Sequence, residues 1–78
     1  MDSNAIEQLI RAGLPNAQVK VSSDDNVHFE AVVTSLAFAG KNPLQRHRLV
    51  YATLGELLGG EIHALSIQAK LPETPENN

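Results

Sequence analysis

The 78-residue sequence predicts one small α/β domain of the α+β type, in the order helix, strand, strand, helix, strand. Three observations predict this order: an apolar stripe at helical spacing near the amino terminus, two alternating segments separated by a turn, and a second helical stripe followed by another alternating segment. The first two strands are expected to be antiparallel, because only a short turn joins them. The third strand is expected to lie parallel to the second, since a helix connects them, and both helices then cover one face of a three-stranded mixed sheet.

The first helix is predicted from an apolar stripe near the amino terminus. The stripe consists of Ile6, Leu9 and Ile10. Ser3 or Asn4 is expected to cap the first turn, with Glu7 completing a capping box with Asn4. Gly13 is expected to end the helix.

Two strands are predicted next, from apolar residues that alternate with polar ones. These residues are Val19 and Val21 in the first strand and Phe29, Ala31 and Val33 in the second. Residues 22–26, with the sequence SSDDN, separate the strands, and short polar side chains there bond the backbone of a turn. The two strands are therefore expected to form a hairpin, with His28 just past its turn.

The longest helix is predicted to begin after Asn42, which can cap the free amides, with Pro43 at the first helical position and Gln45 reaching back to the cap. Gly59 and Gly60 are expected to end it. Its buried face is expected to comprise His47, Val50, Tyr51, Leu54, Leu57 and Leu58.

The segment 62–71 fits a helical stripe at Ile62, Leu65 and Ala69, but apolar and polar residues alternate strictly from Leu65 to Leu71. This alternation favours a strand. Residues 73–78 are polar and are interpreted as a frayed tail, which leaves residues 1–72 as the predicted domain.

The composition excludes several functions. The sequence contains no cysteine, so a disulfide, a thiolate nucleophile and a self-sufficient iron–sulfur ligand set are all excluded. A net charge of −3 argues against broad, sequence-independent nucleic-acid binding. No catalytic constellation or phosphate loop is recognisable, so the chain is not expected to be an enzyme. No signal pattern or apolar run of about 20 residues is present, which predicts a cytoplasmic protein without membrane contact.

The segments HFEAVVTSLAFAG, residues 28–40, and FAGKNPLQRHRLVYATLGELLGGEIHALSIQAKLPET, residues 38–74, resemble the BolA family. The most specific parts are Phe-x-Gly followed by Arg-His-Arg-x-Val-Tyr, and the run Ile-His-Ala-Leu-Ser-Ile. The resemblance implies a fold similar to a type II K-homology domain. One departure is that many relatives continue beyond the position of Pro72 into a longer C-terminal segment, whose contacts are not assumed for this chain.

The resemblance also implies a partnership with monothiol glutaredoxins through a bridging two-iron two-sulfur cluster, and a link to transcriptional control of cell shape and stress responses. It implies that His63 and His28 are the candidate cluster ligands, because they match the family's strand histidine and its loop Cys or His position. A glutaredoxin cysteine and glutathione would supply the sulfur ligands. The isolated chain is therefore expected to be a colourless monomer or weak dimer.

The remaining conspicuous residues lie in the long helix or just before it. His47 lies on the apolar face, which favours a buried structural imidazole bonded to the backbone, with Tyr51 on the same face. Lys41, Arg46 and Arg48 are interpreted either as a solvated shoulder or as contacts to a partner or nucleic acid. Nucleic-acid binding is the alternative function, although the chain has no Gly-x-x-Gly loop.

Overall fold

The computed structural model describes residues 2–62 and 64–72. It contains the helices α1 (Ser3–Gly13) and α2 (Pro43–Leu54), the strands β1 (Gln18–Ser22), β2 (His28–Thr34) and β3 (Ala64–Lys70), and two short 3-10 turns at Leu36–Phe38 and Gly55–Leu57. The predicted order of helices and strands is confirmed. The predicted frayed tail at 73–78 lies outside the described residues.

The strands form one mixed sheet in the order β1-β2-β3, with β2 in the centre. β1 is antiparallel to β2 and β3 is parallel to β2, as predicted. Val21, Ala31 and Ile67 lie side by side across the three strands. Because side chains alternate between the faces of a sheet, this register gives all three strands a common apolar face.

The core lies between that apolar face and the two helices. α1 packs against β1 and α2, and α2 also contacts β3. The fully buried large side chains are Phe29, Phe38, Ile6, Ile10, Ile62, Val33 and Val50. The opposite face of the sheet is mostly polar and carries His28, Glu30, Lys20, Ser66 and Gln68, all exposed. No helix within the described ranges is long and apolar enough to cross a membrane.

The cap of α1 differs from the predicted one. The helix begins at Ser3, and Asp2 is its N-cap, with Oδ1 accepting a hydrogen bond from the backbone N–H of Ala5 at 2.9 Å. Asn4 lies inside the helix, so it forms no capping box with Glu7. The prediction was wrong because Asp2, Ser3 and Asn4 are all good capping residues, and local pattern alone does not choose among them.

Gly13 is the last residue of α1, which agrees with the predicted end, but the physical reason is different. Its backbone is not in the left-handed region. A Cβ at this position would lie 2.5 Å from Thr53 Cγ2 and 2.8 Å from Thr53 Cβ in α2. Gly13 therefore allows the two helices to approach closely, which is a packing requirement and not a turn requirement.

The predicted capping box of α2 is confirmed. Asn42 Oδ1 accepts from the Gln45 N–H at 2.8 Å, and Gln45 Oε1 accepts from the Asn42 N–H at 3.0 Å. The predicted end at Gly59 is wrong, since the helix ends at Leu54 and Gly55 adopts a positive φ of 56°. Glycine takes this conformation at little cost, and it interrupts the helix within the apolar stripe.

The early end of α2 and its orientation also change the predicted buried face. Val50 and Leu54 are buried, whereas Leu57 and Leu58 lie beyond the helix and are only partly buried. Tyr51 is 38% exposed and His47 is half-buried, so neither is the core residue that the stripe predicted. Helical spacing shows which side of a helix faces the core. How many residues on that side are buried depends on the helices and strands that pack against it.

Candidate functional site

The candidate site lies at the hairpin turn, where β2 begins. His28 is the first residue of β2, and 76% of its side chain is exposed. It lies on the open face of the sheet, because its neighbour Phe29 is buried on the core face. The sheet thus presents this imidazole to solvent at one of its ends.

Short polar side chains build the turn that precedes His28. The Ser23 hydroxyl donates to the His28 carbonyl oxygen at 2.6 Å and accepts from the Asn26 N–H at 2.9 Å. Asn26 adopts a positive φ of 59°, a conformation that asparagine tolerates better than most residues. The sequence signal SSDDN therefore forms the turn that was predicted from it.

Asp25 holds both the turn and the imidazole. Its Oδ1 accepts from the backbone N–H groups of Val27 and His28, each at 2.9 Å. Its Oδ2 lies 2.9 Å from His28 Nδ1. The His28 N–H, then the His28 ring, then the Val27 N–H hold the pKa of Asp25 well below its ordinary value. Asp25 is therefore an ionised acceptor at neutral pH.

An ionised Asp25 determines the tautomer of the neutral His28 ring. A carboxylate can only accept, so Nδ1 must carry the hydrogen and donate it to Oδ2. The lone pair of the neutral ring then belongs to Nε2. The Asp25 carboxylate consequently orients an imidazole whose other nitrogen is available to a ligand.

A shallow depression of about 240 Å³ adjoins this pair. Its lining is Ser22, Ser23, Asp24, Asp25, His28, Phe29, Glu30, Ala64 and Ser66. His28 pairs with Ala64 in the β2–β3 register. His63, which precedes Ala64 in the sequence, lies outside the described residues, so convergence of His28 and His63 on one site stays a prediction.

The described part of this site offers few donors for a metal. Within residues 2–62 and 64–72, no group of three or more His, Cys, Asp or Glu side chains could hold a metal ion. The Ser23 hydroxyl bonds the backbone and the His28 ring bonds Asp25, so no serine–histidine pair is formed in this part of the chain. The arrangement can offer one oriented imidazole nitrogen. A metal bound there would need most of its ligands from outside the described residues.

The predicted basic contacts lie at the other end of the sheet. Arg46 donates from Nε to the Lys41 carbonyl oxygen at 2.9 Å and from Nη1 to the Ala69 carbonyl oxygen at 3.4 Å. Lys41 and Arg48 are exposed. His28 pairs with Ala64 at the start of the parallel β3, and Ala69 lies five residues further along that strand, so about 17 Å of strand separates His28 from Ala69. The basic residues and His28 therefore form two separate surfaces.

His47 and Tyr51 contact each other on α2. Their ring centroids lie 6.3 Å apart at an interplanar angle of 73°, an edge-to-face arrangement. No hydrogen bond joins the His47 ring to the backbone of the described residues, although one was expected. The structural role predicted for His47 thus rests on an aromatic contact at the edge of the core.

Asp25 is the site residue that the sequence reasoning missed. Its segment was interpreted only as turn chemistry, yet a carboxylate three residues before a histidine in a tight turn can reach both the backbone and the ring. The available signal was therefore the spacing of Asp25 and His28, considered together with the turn.

Comparison with known proteins agrees with this fold. The family described as BolA-like protein matches residues 11–74. A structure of a BolA homologue from Coxiella burnetii is 41% identical, covers 92% of each chain and superposes with a TM-score of 0.82. The BolA domain of SufE1 from Arabidopsis thaliana is 33% identical over 90% of this chain and 91% of its own, with a TM-score of 0.70. The fold is thus that of small α+β domains of the BolA type.

The sequence relatives give the family directly. Human BolA-like protein 1 is 54% identical over 52 residues, which are 67% of this chain and 38% of the human protein. Arabidopsis Protein BOLA1, chloroplastic, is 44% identical over 81% of this chain and 40% of that protein. The Vibrio cholerae DNA-binding transcriptional regulator BolA is 52% identical over 51% of this chain and 38% of that protein. The chain belongs to the BolA-like family, and it spans about two fifths of the length of these curated relatives.

Proposed function

We propose that this chain is an adaptor that docks on a monothiol glutaredoxin and shares a bridging two-iron two-sulfur cluster with it, in iron–sulfur transfer or in iron and redox regulation. The observation that carries the proposal is the Asp25–His28 pair, in which a carboxylate holds Nδ1 and leaves Nε2 to solvent. Membership of the BolA-like family supports it.

The Asp25–His28 pair has the form that metal-binding histidines usually take. Such histidines almost always donate their second ring N–H to a carboxylate, a carbonyl or a water, which fixes the tautomer and increases the basicity of the ligating nitrogen. Because Asp25 holds the turn through two backbone amides, the His28 ring is not required to close it, and the His28 side chain is 76% exposed. The imidazole is oriented for an external ligand.

The possible ligands of this chain fit a cluster that is shared with a partner and not one that the chain would ligate alone. A two-iron two-sulfur cluster takes four protein or thiol ligands, and histidine can replace cysteine on one iron. With no cysteine in the sequence, His28 and His63 are the proposed ligands, and the glutaredoxin cysteine with glutathione supplies the rest. Neutral imidazoles in place of thiolates make a cluster easier to reduce.

A BolA domain also occurs joined to other protein machinery. The Arabidopsis domain described above belongs to SufE1, and this chain covers only 16% of the curated SufE-like protein 1, over which it is 41% identical. A domain that is used as one part of a larger protein is consistent with a role beside a partner. We propose no catalytic activity for the chain, because its sequence has no recognisable arrangement of nucleophile, base and orienting acid.

The test is titration of a cluster-loaded monothiol glutaredoxin with the purified chain, followed by visible absorption and circular dichroism. We expect the spectrum to change and to saturate at one chain per glutaredoxin. The His28→Ala variant is expected to lose that change, whereas the matched His47→Ala variant, altered on a different element, is expected to keep it. An unchanged spectrum with the parent chain would contradict the proposal.

Nucleic-acid binding is the second candidate, because residues 36–55 contain Lys41, Arg46 and Arg48 and no Asp or Glu. The name of the Vibrio cholerae relative includes DNA binding. Fluorescence anisotropy with a labelled DNA duplex tests this candidate. We would expect tight binding that weakens steeply with salt, and weaker binding for Arg48→Ala, if this surface holds phosphates.

A further inference from the structure

The two edges of the sheet differ in how many of their outward backbone N–H and C=O groups are hydrogen-bonded. At an exposed edge, alternate residues of a strand direct N–H and C=O groups away from the sheet, where they can pair with another strand. β1 forms one edge and β3 forms the other. Comparing the two edges shows which of them is open to a partner.

α1 blocks the β1 edge. Arg11 Nη2 donates to the Val19 carbonyl oxygen at 3.3 Å, and Glu7 Oε1 accepts from the Val21 N–H at 3.4 Å. Arg11 and Glu7 also form an ion pair at 3.3 Å across one turn of the helix. This pair of side chains occupies the positions that an added strand would need, so the β1 edge is protected.

Among residues 2–62 and 64–72, those that bond the outward groups of β3 lie near its end. The Lys70 carbonyl oxygen points toward the β2 side, since it accepts from the Ser35 N–H at 3.0 Å. Alternation then directs the groups of Leu65, Ile67 and Ala69 outward. Arg46 bonds the Ala69 carbonyl, but no described residue outside the strand ladder bonds the backbone of Leu65 or Ile67.

The side chains beside this open edge are apolar and partly buried. Leu65, Ile67 and Ala69 pack against the core without being enclosed by it. A strand added at the β3 edge would cover them if its own side chains on that face were apolar. The edge therefore favours an extended segment with alternating apolar residues.

Charge distinguishes the two ends of the edge. Arg46 lies at the Ala69 end, Lys41 contributes its carbonyl to Arg46, and Lys70 is the exposed last residue of β3. No described carboxylate forms an ion pair with any of the three, since the described ion pairs are those of Glu7 with Arg11 and Asp25 with His28. The positive charge at this end attracts an acidic group. An added segment is therefore expected to place its carboxylates at the Ala69 end of β3.

We infer that the outer edge of β3 is a docking site for an extended segment of a partner protein, which adds as a strand and carries carboxylates at the end facing Arg46. Main-chain hydrogen bonds to Leu65 and Ile67 provide the affinity, and the cationic end selects acidic segments. The site uses no atom of the Asp25–His28 pair, and its test with peptides does not require a bound cluster.

The probe is a short synthetic peptide of alternating valine and threonine with glutamates at one end, compared with a peptide that has lysines there. Amide hydrogen exchange is followed by NMR in the isotopically labelled full chain. With free peptide at about ten times its Kd, we expect exchange at Leu65 and Ile67 to slow about tenfold, with Val19 and Val21 unchanged. The lysine peptide is expected to bind about tenfold more weakly.

Two matched pairs of variants separate strand addition from general attraction. Ile67→Pro removes the outward N–H, which an edge strand tolerates, while Ile67→Ala shortens the same side chain but keeps the N–H. We expect the alanine variant to retain peptide binding and the proline variant to lose about tenfold in affinity. Lys70→Glu is expected to weaken binding several-fold, whereas Lys20→Glu on β1 makes the same charge change without effect.

Three outcomes would overturn the inference. Failure of the glutamate peptide to protect Leu65 and Ile67 at high concentration would exclude strand addition. Protection that rises with chain concentration in the absence of peptide would assign the edge to a second copy of this chain. Binding of a single-stranded oligonucleotide that Lys70→Glu abolishes, with no protection of the two amides by either peptide, would assign the cationic end to phosphate. If Ile67→Pro does not fold, protection of the Leu65 and Ile67 amides in the Lys70→Glu and Lys20→Glu variants tests the docking site instead.

Discussion

Among individual residues, Asp25 has the largest influence on the candidate site, because its two oxygens bond two backbone amides and one imidazole. A carboxyl whose pKa is lowered on folding contributes stability that is complete above its unfolded pKa of about 3.9 and is lost as pH falls through the lower folded value. Neutral and mildly acidic solutions therefore leave the turn intact. Only stronger acid releases the imidazole.

The amide signals of Val27 and His28 test this lowered pKa. In an NMR titration of the full chain below pH 5, we expect both amides to report a step with a midpoint well below about 3.9, since protonating Asp25 weakens the bonds they donate. The step should disappear in Asp25→Asn, which keeps an acceptor oxygen but does not titrate. A midpoint at or above about 3.9 would show that the carboxylate is not held as described.

His47 is expected to be a modest structural residue. Because it is half-buried and contacts Tyr51 by a ring edge, His47→Ala should lower the free energy of unfolding by about 0.5–1.5 kcal/mol. Leu54→Ala on the same helix, where the side chain is 3% exposed, should cost about 2–5 kcal/mol. Chemical denaturation measures both. If His47→Ala lowered the free energy of unfolding as much as Leu54→Ala does, His47 would have to be a core residue.

For helices and strands, local signals predicted the existence and order of the regular structure but not every boundary. Alternation placed β3 correctly, and the Asn42–Gln45 box placed the start of α2. The end of α2 was misplaced because Gly55 lies within an apolar stripe that continues past it, and spacing cannot tell whether a glycine will adopt a positive φ. The buried width of α2 depended on packing that no local pattern contains.

The close contact between α1 and α2 predicts that Gly13→Ala destabilises the protein, although alanine has the higher helix propensity. Gly13→Ala should favour the isolated helix by up to about 1 kcal/mol, yet the added Cβ would collide with Thr53. Rotation of the Thr53 side chain cannot remove the contact with its Cβ, so the helices must separate. We expect a net loss of about 1–3 kcal/mol in the free energy of unfolding.

Gly60→Ala is the matched control for Gly13. The nearest atoms to a Cβ there are backbone oxygens of Glu56 and Leu57 at 3.4 and 3.6 Å, and the φ of Gly60 is not positive. Its effect should remain within about 0.5 kcal/mol in the same denaturation experiment. A stabilising Gly13→Ala substitution would mean that the helices are not in close contact at this point.

The whole molecule separates its chemistry onto distinct surfaces. The Asp25–His28 pair lies where β2 begins, whereas the basic residues lie at one end of the outer β3 edge and belong to the proposed docking site there. The family resemblance selected His28 from the sequence, whereas Asp25 was missed because its spacing to His28 has meaning only when it is considered together with the turn. Likewise, the open β3 edge emerges only from the register of all three strands.

We propose that His28 supplies a nitrogen ligand to a cluster held with a glutaredoxin. Pulsed electron paramagnetic resonance tests it most directly, on the reduced complex of cluster-loaded monothiol glutaredoxin with the chain labelled with ¹⁵N at histidine only. We expect strong ¹⁵N couplings that decrease in His28→Ala and remain unchanged in His47→Ala, since only a ligating imidazole delocalises the unpaired spin. A complex that forms at equal stoichiometry but shows no ¹⁵N coupling, or couplings indifferent to His28→Ala, would contradict it.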